Sequence, residues 1–463
     1  MQRGLPLAAA GGLLLTVLAV LTGCGGGGSS SGDSGGSAAA PLAAGKANSA
    51  AAFVADTIDA YASLDTSGRL AGRAESRLLS IVYIAMYDAA DAVDRRYQPY
   101  QSVLAVNASA DVAAAVAAAA RKALLATTTG QTARIESWYS SQIAALTAGP
   151  AVTAGIALGE QAAAGIIAAR TGDGAESADV SLSTDAITNG IPPAAGAYIP
   201  TPTYYAPAAY SAWGAVKPFA VASVSDYMVP APEYYTALDG DYFQREMAEV
   251  MCYGRLPSIG IPACDNATPP KVRTADQSEL AQFWRESASQ SWNRMAREIA
   301  TARGLGGLEQ LRLYALLNMA QADAFTAASL VKYTYKFWRP VTAIRNAAMT
   351  GGSSPVTVSN WLPYDPVTPA HPDYVSFHAA AGGAAAHVLK TVFMANDIAF
   401  DQSSQTANDT SKKRHFASFT DAAEENAISR VYIGYHFRLA TTLGLDLGNK
   451  VGDATMAAKL RAL

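Results

Sequence analysis

The chain has 463 residues, half of them hydrophobic and 16% charged, with a formal net charge of −4. That length and apolar content suffice for a large core or two packed bundles, and they exclude a chain dominated by disordered tails. The charge balance gives no electrostatic reason to expect a nucleic-acid partner, and the 22 tyrosines fit a folded protein.

The first segment is read as lying outside the fold. Arg3 precedes an apolar run from Leu5 to Leu21, which ends in Leu21-Thr22-Gly23-Cys24. A basic start, a short apolar run and small residues before a cysteine resemble the bacterial lipoprotein signal. That resemblance implies cleavage before Cys24 and lipid on its sulfur. An ordinary secretory signal or a membrane anchor is the alternative, although the run is short for a spanning helix. Residues 25–36 then read as a Gly/Ser tether able to hold a folded domain off a membrane. The expected placement is the cell envelope, lipid-anchored and facing the periplasm or the cell surface. The division expected is a signal peptide at 1–23, a tether at 24–46, an amino-terminal helical half at 47–300 and a carboxyl-terminal half at 301–463.

In residues 77–94 the apolar positions Leu79, Val82, Tyr83, Met86, Ala90 and Val93 recur every three or four residues, giving one buried helical face. Residues 112–126, 132–146 and 154–169 are alanine-rich, which favours helix and close helix packing. Residues 171–231 break the pattern, with Pro192, Pro193, Pro200, Pro202, Pro207, Pro218 and Pro230 among Tyr198, Tyr204, Tyr205 and Tyr210. An ordered surface wrap is expected there, lining a pocket entrance or simply packed down. Cys252 and Cys264 fall in a Gly/Pro-rich stretch. An exported compartment permits a disulfide between them, and two free thiols are the alternative. Helical periodicity covers 233–251, 277–303 and 307–335, and a second proline-rich loop covers 351–373. Helices at 376–392, 416–435 and 439–460 complete the chain. No alternating run is long enough for a sheet. The expected fold is all-α, two packed four-helix-bundle-like halves with long Pro/Tyr-rich loops.

Three segments carry candidate chemistry. The first is Lys332-Tyr333-Thr334-Tyr335-Lys336-Phe337-Trp338-Arg339-Pro340. Lys332 and Arg339 are two helical turns apart, so a continuous helix would project both from one face, with Pro340 ending or redirecting it. A solvated basic face is the plain reading. Phe337 and Trp338 argue for burial, and a buried cation needs an anion. The second is His371-Pro372-Asp373-Tyr374-Val375-Ser376-Phe377-His378, where Ser376 fits an N-cap and backbone N–H groups fit an anion. The third is Ser429-Arg430-Val431-Tyr432-Ile433-Gly434-Tyr435-His436, which as helix sets Arg430 and His436 almost two turns apart.

In this order, Lys-x6-Arg-Pro, Ser-x-His and Ser-Arg-x5-His resemble the signature of vanadium-dependent haloperoxidases and the related type-2 phosphatidic acid phosphatases. The stretches from Phe337 to Arg345 and from Gly434 to Arg438 are most similar to the bacterial haloperoxidase-like branch. The resemblance implies that Lys332, Arg339 and Arg430 hold the oxygens of vanadate or phosphate, with Ser376 and the amide of Phe377 adding hydrogen bonds. It implies that His436 binds the metal directly and that His378 is the acid/base. It also places His371 beside the halide and peroxide pocket. Orthovanadate is the implied cofactor, without haem or nucleotide, and hydrogen peroxide and halide are the implied substrates. Two alternatives use the same scaffold: an acid phosphatase acting on a phosphate ester through a phosphohistidine, and a non-catalytic surface binding protein. Two departures stand out. Phe377 replaces the family's usual glycine, which is costly if that position needs φ > 0. Ala440 stands four residues after His436, where many members carry a carboxylate, so the imidazole must be oriented from elsewhere, for instance by a backbone carbonyl. The sequence leaves the oligomeric state open.

Overall fold

Alanine and leucine at this density favour helix, and the chain uses that preference almost throughout. The computed structural model describes residues 40–64, 73–101, 104–177, 191–192, 194–232, 234–352 and 357–463. The signal peptide, Cys24 and the tether up to residue 39 lie outside the described residues, as do Pro193 and Pro355. The first helices are α1 (Ala44–Ser63), α2 (Arg73–Asp91), α3 (Val112–Thr127), α4 (Thr132–Ala144) and α5 (Pro150–Arg170). After the long irregular segment come α6 (Asp241–Tyr253), α7 (Pro262–Asp265), α8 (Ala275–Phe283), α9 (Ala288–Ala302) and α10 (Gly307–Tyr335). The rest is α11 (Pro340–Arg345), α12 (Phe377–Phe393), α13 (Phe419–Tyr432) and α14 (Arg438–Ala458). Among the described residues the only strands are β1 (Phe400–Gln402) and β2 (Arg414–Phe416), an antiparallel pair with Phe400 opposite Phe416. The fold is all-α, and Ala38–Leu463 forms one compact unit.

The 29-residue α10 is the axle of this arrangement. Its apolar residues face every direction, the pattern of a helix enclosed on all sides. It packs on α2 and α1 from the first part of the chain and on α12 and α14 from the last. The tightest packing in the carboxyl-terminal part joins α12 and α14. There a Cβ on Gly448 would lie 2.0 Å from the carbonyl oxygen of Ala380, so only glycine lets the two backbones approach this closely.

The proline- and tyrosine-rich segment is pinned rather than loose. Asp323, fully buried in α10, accepts the N–H groups of Phe219, Ala220 and Val221 at 2.7, 2.7 and 3.0 Å. Tyr198, Tyr210 and Trp213 are buried. The Tyr198 N–H donates to Lys336 O, and the Trp338 N–H donates to Gly196 O, both at 2.8 Å. This part of the wrap is therefore the back wall of the segment carrying Arg339. Cys252 and Cys264 are joined by a disulfide that links the end of α6 to α7.

Two expected helices are divided. The stretch 277–303 breaks between α8 and α9, and 416–435 stops at Tyr432. The first break turns two backbone carbonyls, Trp284 O and Glu286 O, toward Arg430 and His378. The second follows from Gly434 at φ +89°, a conformation that ends a helix.

Candidate active site

Lys332 and Arg339 reach the site from different elements, not from one helical face. Lys336 adopts the left-handed conformation and caps α10, and Pro340 then opens α11 as its first residue, where its missing N–H costs nothing. Arg339 is the N-cap between them. Ser376 is the N-cap of α12: its Oγ accepts the Ala379 N–H at 3.4 Å, and its own N–H donates to Ala440 O at 2.9 Å. His378 lies in the first turn of α12. Arg430 lies in the last turn of α13, and His436 lies in the link to α14, outside any helix, with its N–H 3.2 Å from Arg430 O.

Arg339 is fully buried and held by its surroundings on every nitrogen. Its Nε donates to His371 O at 2.7 Å, Nη1 to Tyr435 O at 2.8 Å and Nη2 to Pro369 O at 3.2 Å. Nη1 also meets His436 Nε2 at 3.0 Å, and Nη2 meets His371 Nδ1 at 2.8 Å. The Lys332 ammonium donates to the carbonyls of Pro372 at 2.6 Å and Asp373 at 3.0 Å, and it sits 4.6 Å from the ring centre of Phe377. Arg430 differs. Its Nη1 donates to Trp284 O at 2.8 Å, while Nε and Nη2 are buried without a hydrogen-bond partner among the described residues.

His436 Nδ1 lies 2.9 Å from Asp373 Oδ1. Arg339 Nη1 lies near both ring nitrogens, 3.0 Å from Nε2 and 3.4 Å from Nδ1, whereas an ionised carboxylate only accepts, so the Asp373 contact calls for the ring proton on Nδ1. Burial first, then Arg339, Lys332, Arg430 and His378, hold His436 well below its ordinary pKa and so keep it neutral. Burial brings Arg430 down to about 10, which leaves it a cation at neutral pH. Burial pushes the Asp373 carboxyl up to about 7, against the pull of Arg339 and Lys332. His378 Nε2 lies 3.1 Å from Glu286 O.

Lys332, Arg339 and Arg430 are three buried cations, and Asp373 is the buried carboxylate among them. Such an excess of buried positive charge is costly unless an anion offsets it. The two unpartnered donors of Arg430 are of the kind a tetrahedral oxyanion satisfies. The donor set, with the His436 ring against Arg339, fits vanadate or phosphate.

The expectations for Phe377 and for the orientation of His436 need correction. Phe377 is an ordinary helical residue and not among those with positive φ, so it carries no backbone strain. Its ring fills the wall of the site, 5.6 Å from Phe325 and 4.7 Å from His371 between ring centres. His371 is buried and braces Arg339. The imidazole of His436 is oriented by the carboxylate of Asp373, not by a backbone carbonyl. Sequence reasoning passed over Asp373, although it lies in the Ser/His segment two residues after His371.

Residues 312–462 match the VCPO second helical-bundle domain family. A curated relative, the vanadium chloroperoxidase of Curvularia inaequalis, is 27% identical over 179 aligned positions, which cover 29% of this chain and 29% of that protein. The crystal structure of a bacterial vanadium-dependent iodoperoxidase superposes with a TM-score of 0.72 at 21% identity, covering 92% of this chain and 99% of the other. An apo bacterial vanadium-dependent chloroperoxidase superposes with a TM-score of 0.62 at 17% identity, covering 82% and 92%. At these identities the likeness to the solved structures is one of fold. The chain thus has the all-α fold of these solved structures, and its similarity to the family model is confined to residues 312–462.

Proposed function

We propose that this chain is a vanadate-dependent haloperoxidase, which uses hydrogen peroxide to oxidise halide to a hypohalous species. The observation that carries the reading is the buried His436 in contact with Arg339 and Asp373, with the buried cations Lys332 and Arg430 close enough to act on its charge. Similarity to proteins named as vanadium chloroperoxidase and vanadium-dependent iodoperoxidase supports it. Lys332, Arg339 and Arg430 would hold the vanadate oxygens, with Ser376 and the amide of Phe377 at the start of α12, and His436 would be the metal ligand. Bound there, vanadate would supply Lewis-acid activation of peroxide without a change of redox state.

The chain's own residues do the rest. The fixed cations offset the oxyanion's charge in a water-poor setting, where each interaction is stronger than in bulk water. His436 offers a lone pair because its proton is committed to Asp373. His378, its Nε2 beside the carbonyl of Glu286, would be the group that takes and returns a proton.

Purified protein loaded with orthovanadate should show peroxide-dependent halogenation with at least one of chloride, bromide and iodide. His436→Ala should lose bound vanadium after dialysis. Hydrolysis of a chromogenic phosphate ester that vanadate abolishes would replace this reading with the phosphatase one. Absence of both activities and of vanadium binding would favour a binding protein on the same scaffold.

A further inference from the structure

The geometry points to Asp373 as the positioning residue of His436, holding the imidazole in the Nδ1–H tautomer so that Nε2 presents its lone pair to the oxyanion's central atom. This inference rests on the oxyanion-site reading above. Arg339 Nη1 lies 3.0 Å from Nε2 and 3.4 Å from Nδ1, so it touches both ring nitrogens and does not choose between the tautomers. The carboxylate does choose: it only accepts when ionised, so the ring proton belongs on Nδ1, 2.9 Å from Asp373 Oδ1. Asp373 is itself fixed on both sides: its N–H donates to Phe337 O at 3.0 Å, and its carbonyl accepts from Lys332 Nζ at 3.0 Å. Its side chain is fully buried, and the Phe437 N–H lies 3.4 Å from the same Oδ1.

Positioning and charge predict opposite outcomes. Asp373 is the negative group among three buried cations, so on charge alone its removal should tighten an anion's hold. If its role is to fix the tautomer, Asp373→Asn should weaken that hold. The carboxamide can donate to Nδ1 and so move the ring proton to Nε2, which removes the lone pair. A partner behind a metal-binding histidine typically governs about 10–100-fold in affinity. Equilibrium dialysis of the full folded chain against orthovanadate should therefore show a loss of about 10–100-fold in Asp373→Asn. Affinity equal to or tighter than that of the unchanged protein overturns the proposal.

A second measurement needs no bound oxyanion. In 15N-histidine-labelled protein, with His436 assigned by its disappearance in His436→Asn, Nδ1 should give a protonated-nitrogen shift and Nε2 an unprotonated one. The pattern should reverse or average in Asp373→Asn. An Nε2–H tautomer in the unchanged protein overturns the proposal, whatever the dialysis shows. If the unchanged protein binds neither vanadate nor inorganic phosphate, the oxyanion reading fails by itself, and the ring spectrum still decides whether Asp373 sets the tautomer.

Discussion

Arg430 is the residue at which the fold and the site make opposing demands. Its guanidinium is 1% exposed, and two of its nitrogens have no partner among the described residues, a costly arrangement for a folded chain to maintain. The ring of Tyr435, 5.3 Å away, and the carbonyl of Trp284 offset only part of that cost. Arg430→Met keeps the volume and removes the buried charge. It should raise the melting temperature of the vanadate-free protein and abolish vanadate retention, measured on one preparation by thermal unfolding and by bound vanadium after dialysis. A lower melting temperature would mean that the Trp284 contact outweighs the buried charge. Phe377 illustrates the converse: where a glycine was expected, a ring in ordinary helical conformation packs on Lys332 and His371, so glycine there would remove packing and relieve no strain.

The links between helices, more than the helices, place the functional groups. Gly434 turns the chain from α13 toward His436 at φ +89°, and a Cβ there would lie 2.3 Å from Gly254 O and 2.7 Å from Pro363 Cβ. Gly434→Ala pays the left-handed penalty of about 1–2 kcal/mol and must also displace Gly254 or Pro363. We expect a lower urea midpoint, corresponding to a loss of at least that free energy, and weaker vanadate retention in the folded variant, because Tyr435 and His436 follow directly. Unchanged stability would show that the turn relaxes freely. The long helices were legible in the sequence because each carries a period: the expected 307–335 is α10 itself, and Ser376 caps α12 as its position suggested. The break at 284–287 was not legible. Trp284-Arg285-Glu286-Ser287 contains neither glycine nor proline, and its shape depends on partners remote in sequence, Arg430 on the Trp284 carbonyl and Arg414 with Glu425 on the Trp284 side. Asp373 was hidden for a related reason: a loop carboxylate has no period, and only the fold brings it to His436.

Taken together, the molecule buries carboxyl groups in each of its parts, and their joint titration sets its response to pH. Burial raises Asp88 on α2 to about 7, Glu246 on α6 to about 7 and Asp323 on α10 to about 6, from ordinary values of 3.8, 4.5 and 3.8. Each accepts backbone N–H groups, Asp88 from Tyr100 and Gln101 and Glu246 from Leu439 at the start of α14, so each is tied to the architecture. In the window between the unfolded and folded values these carboxyls bind more protons in the native protein than in the unfolded chain, so their contribution falls as pH rises, while His436, held below its ordinary value of 6.5, opposes them on the acid side. The contribution is fully present below about 4, where both states are protonated, and is lost as pH passes about 7. Carboxylates shifted the other way, Glu136, Asp265 and Asp409, are at the surface, where solvent screens them, and they contribute little. The melting temperature should therefore be higher near pH 5 than at pH 8. Glu246→Gln, which keeps an acceptor for the Leu439 N–H and removes the titration, should flatten part of that slope. A melting temperature that climbs steadily from pH 5 to pH 8 would show that the surface ion pairs, not the buried carboxyls, control the stability of the fold.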